Sequence, residues 1–168
     1  MVEKVYKVLF LGRENVARSL MAEALLRELA GDRFEVYSAG LEQAGAPDPM
    51  ALRTLQLAKM PTDGLRPKLL QEATDGGARE FDFVITVSDR VSHEELPSFA
   101  GKPMIVHWGT DDPTEENGSQ SERQVVYGRA LRQLRNRIEV FVNLSIDRLD
   151  RLVLKAKMDT LGEVRPRE

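Results

Sequence analysis

Residues Val5 to Leu11 form an apolar run broken only by Tyr6 and Lys7, and they lead through Gly12 into a short turn and a helical pattern. Such a run reads as a strand covered on both faces, the environment of a central parallel strand. From Asn15 to Ala30 apolar residues recur at helical spacing through Leu20, Ala24, Leu25 and Leu29, with Glu23, Arg27 and Glu28 read as the wet face. Gly31 reads as the C-cap. A chain that begins strand, tight turn, helix is already restricted to a few α/β architectures.

The remaining pattern repeats the alternation. Phe34 to Ser38, closed by Ala39-Gly40, reads as a second strand, and Asp48-Pro49 opens a helix running to about Lys59. A short helix is expected from Lys68 to Ala73 before the Asp75-Gly76-Gly77 turn. Phe81 to Val87 and Met104 to His107 read as the third and fourth strands, and a polar loop from Trp108 to Gln120 precedes a long helical stretch from Ser121. This alternation argues a parallel, doubly wound sheet.

Composition narrows the function more by exclusion than by suggestion. A chain of 168 residues, with 42% hydrophobic and 30% charged residues, is that of an ordinary globular domain. Its net charge of -3 lacks the basic excess of a nucleic-acid binder. No run approaches the ~20 apolar residues of a membrane span, and Met1-Val2-Glu3-Lys4 leads into the first strand without a secretory core; a cytoplasmic protein is expected. The absence of cysteine removes disulfides, thiolate metal sites and thiol catalysis together. Two histidines, His93 and His107, leave little for a histidine metal site, and no metal or cofactor is expected.

The turn after the first strand carries the chemistry. Residues Gly12, Arg13, Glu14, Asn15, Val16, Ala17, Arg18 and Ser19 leave the C-terminal end of a central strand and enter a helix, which is where open α/β sheets bind ligands. Backbone N–H groups there, reinforced by the helix dipole, suit an oxyanion, and Arg18 could add two parallel charge-assisted bonds. The alternative is that Asn15, Arg18 and Ser19 only cap and anchor the first helix.

The arrangement resembles the phosphate loop of the low-molecular-weight protein tyrosine phosphatases and thioredoxin-coupled arsenate reductases. Further matching segments are Tyr37-Ser38-Ala39-Gly40, the strand Phe81 to Val87, and His107-Trp108-Gly109-Thr110-Asp111-Asp112-Pro113. The resemblance implies a three-layer α/β/α fold with a four-stranded parallel sheet over residues 1–142. It also implies a cysteine nucleophile at the head of the loop, an aspartate general acid at Asp112, and, in the reductases, a second cysteine after the third strand. Gly12 stands at the nucleophile position and Ser88 at the second, so neither hydrolysis nor the disulfide cascade has its thiol. Ser19 corresponds to the serine that holds the thiolate anionic.

Three loop positions depart further: Arg13, Glu14 and Val16. If the glycine that Glu14 replaces has positive φ, Glu14 strains the loop; aimed inward, its carboxylate would repel an anion or pair with Arg13 or Arg18. On that reading, restoring cysteine at residue 12 would recover little activity. Glu14 as a carboxylate nucleophile would normally require a metal. Asp112 is expected to retain turn geometry or to anchor Arg13 or Arg18, with Glu115 and Glu116 extending an acidic lip, while His107 and Trp108 are expected to pack.

Residues 143–168 extend beyond the resemblance. Leu131, Leu134, Ile138, Phe141, Ser145, Leu149 and Leu152 make a near-heptad series, expected as one extended C-terminal helix with Gly162 to Glu168 as a tail. That helix either packs on its own domain or pairs with a second copy, with Asp147, Arg148, Asp150 and Arg151 as the rim. Two functions follow as expectations: a pseudoenzyme that binds a phosphate- or arsenate-like anion, a phosphoprotein or a regulatory partner, and a dimerising scaffold whose loop is plugged.

Overall fold

The computed structural model describes residues 4–163; Met1 to Glu3 and the tail from 164 onward lie outside the described residues. Four parallel strands, β1 (Tyr6–Gly12), β2 (Phe34–Gly40), β3 (Phe83–Thr86) and β4 (Met104–His107), form one sheet in the order β2-β1-β3-β4. Its outer elements are α1 (Arg18–Ala30), α2 (Pro49–Leu57), α3 (Leu70–Ala73), α4 (Gln120–Val142) and α5 (Arg151–Glu163). The register pairs Gly12 with Gly40 and Leu11 with Thr86, so the C-terminal ends of β1, β2 and β3 gather at one edge of the sheet.

Strand alternation divides the interior. Val8 and Phe10 face the main core, with α1, α2, α4 and α5 packed on it, whereas Leu9 and Leu11 face a smaller cluster with Ala39, Ala73, Phe81 and Val84. The second outer layer is thin, consisting of the four-residue α3, a 3-10 turn at His93–Glu95 and connecting loops. Phe141 of α4 anchors the thick side: its ring lies 5.1 Å from Phe34, 5.2 Å from Phe83 in an edge-on contact, and 5.9 Å from the buried Trp108.

Several sequence expectations shift locally. The helix expected from Asn15 begins at Arg18, because Asn15 takes a left-handed backbone with φ 61°. Gly31 does end α1, but in right-handed geometry (φ -64°). Glu23, expected on the wet face, is buried at 3% exposure.

The C-terminal helical extension is present but interrupted. The series continues through Phe141 and stops at Asn143; a 3-10 turn at Ile146–Arg148 intervenes before α5. The extension packs on its own chain through Ile146, Leu154 and Met158, and the Trp108 indole N–H donates to the Met158 carbonyl at 3.0 Å. Leu152 points outward at 84% exposure. Gly162, expected in the tail, lies within α5, where an added Cβ would sit 2.0 Å from the His107 carbonyl oxygen.

Replacing Phe141 with alanine should cost about 3–5 kcal/mol, because three aromatic partners lose a common neighbour. Gly162→Ala should push α5 off β4 and cost roughly 1–3 kcal/mol. Denaturant unfolding at constant m-value measures both; an unchanged midpoint for Gly162→Ala would contradict the close crossing.

Candidate oxyanion cradle at the head of β1

The site is assembled from three chain segments. Gly12 to Ser19 form the loop between β1 and α1, and with Arg90, Asp112 and Thr114 they line a cavity of about 130 Å³. The amide N–H groups of Glu14, Asn15, Val16 and Ala17 have no intramolecular acceptor among the described residues. Four neighbouring amides at the mouth of a helix N-terminus are a place where an anion's lone pairs find donors.

Asn15 holds this loop open. At 2% exposure it donates from Nδ2 to Ser19 Oγ at 2.7 Å and to Ser38 Oγ at 3.0 Å, and its Oδ1 accepts from the Lys68 amide at 2.9 Å. Left-handed backbone costs a non-glycine residue about 1–2 kcal/mol, and these buried bonds offset it. Gly40 backs the loop so closely that a Cβ would lie 2.8 Å from the Glu14 carbonyl carbon. Behind Asn15, Ser38 hydrogen-bonds Glu23, whose carboxylate also meets Arg27 at 2.7 Å and Lys68 at 3.7 Å. Burial holds the Lys68 ammonium below its usual pKa, with Glu23 opposing that shift.

The three arginines at the rim have separate partners. Arg18 lies on the cavity wall, donating to the Thr110 carbonyl at 2.7 Å and Ser88 Oγ at 3.3 Å, and approaching Asp112 at 3.1 Å. Burial lowers the Arg18 pKa from that of free arginine, and Asp112 opposes this. Arg13, expected among the anion contacts, turns its side chain to Glu95 in two bonds of 2.8 and 3.1 Å. The Glu95 carboxyl is held below the ordinary range by that contact, together with the Ser92 amide bond.

Glu14 corrects two expectations. The residue with positive φ is Asn15, so Glu14 carries no left-handed strain. Its carboxylate lies half exposed, 3.7 Å from Arg90, and it contacts neither Arg13 nor Arg18 within ion-pair distance among the described residues. Asp112 therefore holds Arg18, as the sequence alternative had it. Its carboxylate also accepts from the Thr114 amide at 3.0 Å, fixing the Asp-Pro turn.

The degenerate positions are well placed. A Cβ at Gly12 would stand 3.3 Å from Ser19 Oγ and 3.7 Å from its Cβ, so a small side chain fits there once the Ser19 hydroxyl turns slightly aside. Ser88 is fully buried and accepts from the Arg90 amide at 3.1 Å and from Arg18 Nη2 at 3.3 Å. Trp108 packs as expected. His107 sits at the strand end, bonded to Thr86 Oγ1 at 2.7 Å through Nδ1 and to Asp89 at 2.7 Å through Nε2. Among the described residues no group of three or more His, Cys, Asp or Glu side chains could hold a metal, and no helix is long and apolar enough to cross a membrane.

Residues 7–151 match the family described as low molecular weight phosphotyrosine protein phosphatase. This chain belongs to that family. An arsenate reductase of Halalkalibacterium halodurans is 30% identical over 139 residues, covering 80% of this chain and 93% of that protein. Among solved structures, an arsenate reductase from Archaeoglobus fulgidus superimposes with TM-score 0.65 at 29% identity, covering 82% of this chain and 99% of the other. A tyrosine phosphatase from Erwinia amylovora gives TM-score 0.62 at 25% identity, covering 84% and 94%. The family's cysteine chemistry has no thiol in this member, because the sequence contains no cysteine.

Asn15 supplies the prediction here. Asn15→Ala loses three hydrogen bonds and keeps an unfavourable φ, for a cost of about 3 kcal/mol. Asn15→Gly relieves the backbone and should cost less than Asn15→Ala. Equal unfolding free energies for the two variants would remove the conformational part of the argument.

Proposed function

We propose that this protein is a non-catalytic member of its family that uses the loop from Gly12 to Ser19 to bind a tetrahedral oxyanion, either free phosphate or arsenate or a phosphorylated ligand. The observation that carries the reading is the cavity of about 130 Å³, lined by unclaimed loop amides and Arg18, with glycine at the nucleophile position. The rim residues Arg13, Glu14, Arg90, Asp112 and Thr114 are polar and include no aromatic wall for an aryl ester. Binding here is a competition: an entering anion shares Arg18 with Asp112, while the amides contribute without rearrangement. A cytoplasmic setting accompanies this reading, supported by the lack of a membrane-spanning helix among the described residues.

A second reading rests on α5. Leu152 is 84% and Val153 42% exposed, neighbouring apolar residues on the outer side of a helix that otherwise packs inward. A homodimer or regulatory partner seated there would make the protein an interaction module, with or without an occupied cradle.

Titration calorimetry with inorganic phosphate and with arsenate separates the two readings. Binding by the native protein, weakened about tenfold or more in Arg18→Ala, is expected from the loss of a charge-assisted contact worth ~1.5–3 kcal/mol. No heat with either anion, together with a concentration-dependent dimer broken by Leu152→Arg, would favour the scaffold. The native protein should release no phosphate from p-nitrophenyl phosphate without added metal. Because Glu14 faces Arg90 and leaves the cavity floor clear, Gly12→Cys should gain measurable hydrolysis, contrary to the expectation from sequence. Metal-free turnover by the native chain would overturn the non-catalytic reading.

A further inference from the structure

The thin layer over the sheet leaves a second, larger cavity that shares no lining residue with the cradle. It measures about 560 Å³ and lies between the segment 69–79 and the loop 97–100, with Leu41, Leu69, Leu70, Pro97 and Phe99 among its walls. That volume falls within the ~300–1,000 Å³ typical of small-molecule sites. One cation borders it. Arg79 donates through Nη1 to the Ala73 carbonyl and stacks with its guanidinium carbon 4.5 Å from the centre of the Tyr37 ring.

Those two contacts fix the plane of the guanidinium but use only part of its donor set. Among the described residues no carboxylate comes within ion-pair distance of Arg79. Nearby Glu72 is occupied by Arg66. An oriented guanidinium at the edge of a cavity with Leu41, Leu69, Leu70, Pro97 and Phe99 in its walls, and Gln71, Thr74 and Ser98 as its other polar lining, complements a monoanion with a hydrocarbon or aryl body. We propose that this cavity binds an amphiphilic monocarboxylate, its carboxylate on the remaining N–H groups of Arg79 and its apolar part against Leu70 and Phe99. A carboxylate matches the fork with two parallel bonds, and the walls remove the tail from water. Leu41 connects this cavity to the cradle loop, since its amide donates to the Arg13 carbonyl at 2.9 Å.

The test is titration of the intact protein with octanoate and, in parallel, with 1-octanol, which has the same tail without the charge. Octanoate should bind at least about tenfold tighter than octanol, and Arg79→Gln should erase that difference while Arg79→Lys keeps part of it. Leu70→Trp, which fills the cavity, should abolish octanoate binding and decides the matter even if Arg79→Gln is poorly folded. Saturating inorganic phosphate should leave the octanoate titration unchanged. Equal affinity for octanol, full binding by Leu70→Trp, or competition by phosphate would each overturn the proposal.

Discussion

The cradle depends on one buried amide side chain. Asn15 ties the start of α1, the end of β2 and the segment entering α3 through three hydrogen bonds, while its backbone turns the loop by a left-handed residue. The Arg13 and Val16 carbonyls are tied as well, to the amides of Leu41, Glu42 and Asp48, so the side chain of Asn15 completes a loop whose outer turns are already anchored. Behind it Ser38 and Glu23 are buried and Lys68 nearly so, while Arg27 reaches the Glu23 carboxylate from the surface, so the buried carboxylate depends on these partners for its charge balance. The loop is therefore held as a preformed concavity by an internal polar scaffold, with apolar packing one layer further in.

Charge at the rim is balanced pair by pair. Arg13 meets Glu95, Arg18 meets Asp112, and Arg90 approaches Glu14. The first and third pairs are substantially exposed on the carboxylate side and contribute little to stability, though they steer where side chains point. The Arg18–Asp112 pair is nearly buried, at 11% exposure for each side chain, so its geometry is the costlier one to disturb. This explains why an acidic substitution inside a phosphate-loop sequence need not close the site: neighbouring Arg90 draws the new carboxylate outward.

The fold was largely legible because its signals are local and periodic. Strands covered on both faces read as unbroken apolar runs, and Leu131, Leu134, Ile138 and Phe141 show the buried stripe of α4 directly. The loop was legible by position and by the family pattern around Arg18 and Ser19. What could not be read was tertiary. Glu23 occupies a helical position that periodicity assigns to water, and only the folded arrangement brings Ser38 and Lys68 onto it. The partners of Arg13 and Glu14 lie about 80 residues away in the segment 90–95, with nothing in the local sequence to announce them. The break at Asn143 escaped because the heptad spacing continues numerically through Ser145 and Leu149 while the backbone does not.

Glycine at the base of the cradle changes what kind of sensor or carrier such a pocket can be. A thiol there would be consumed by peroxide and would trap its anion covalently; Gly12 offers oxidants no sulfur and offers the anion no bond to form. On the proposed reading, an anion in the loop would be held by hydrogen bonds and the Arg18 charge, with no covalent bond to form or break. Its occupancy would then follow anion concentration and ionic strength and be indifferent to the thiol–disulfide balance of its surroundings.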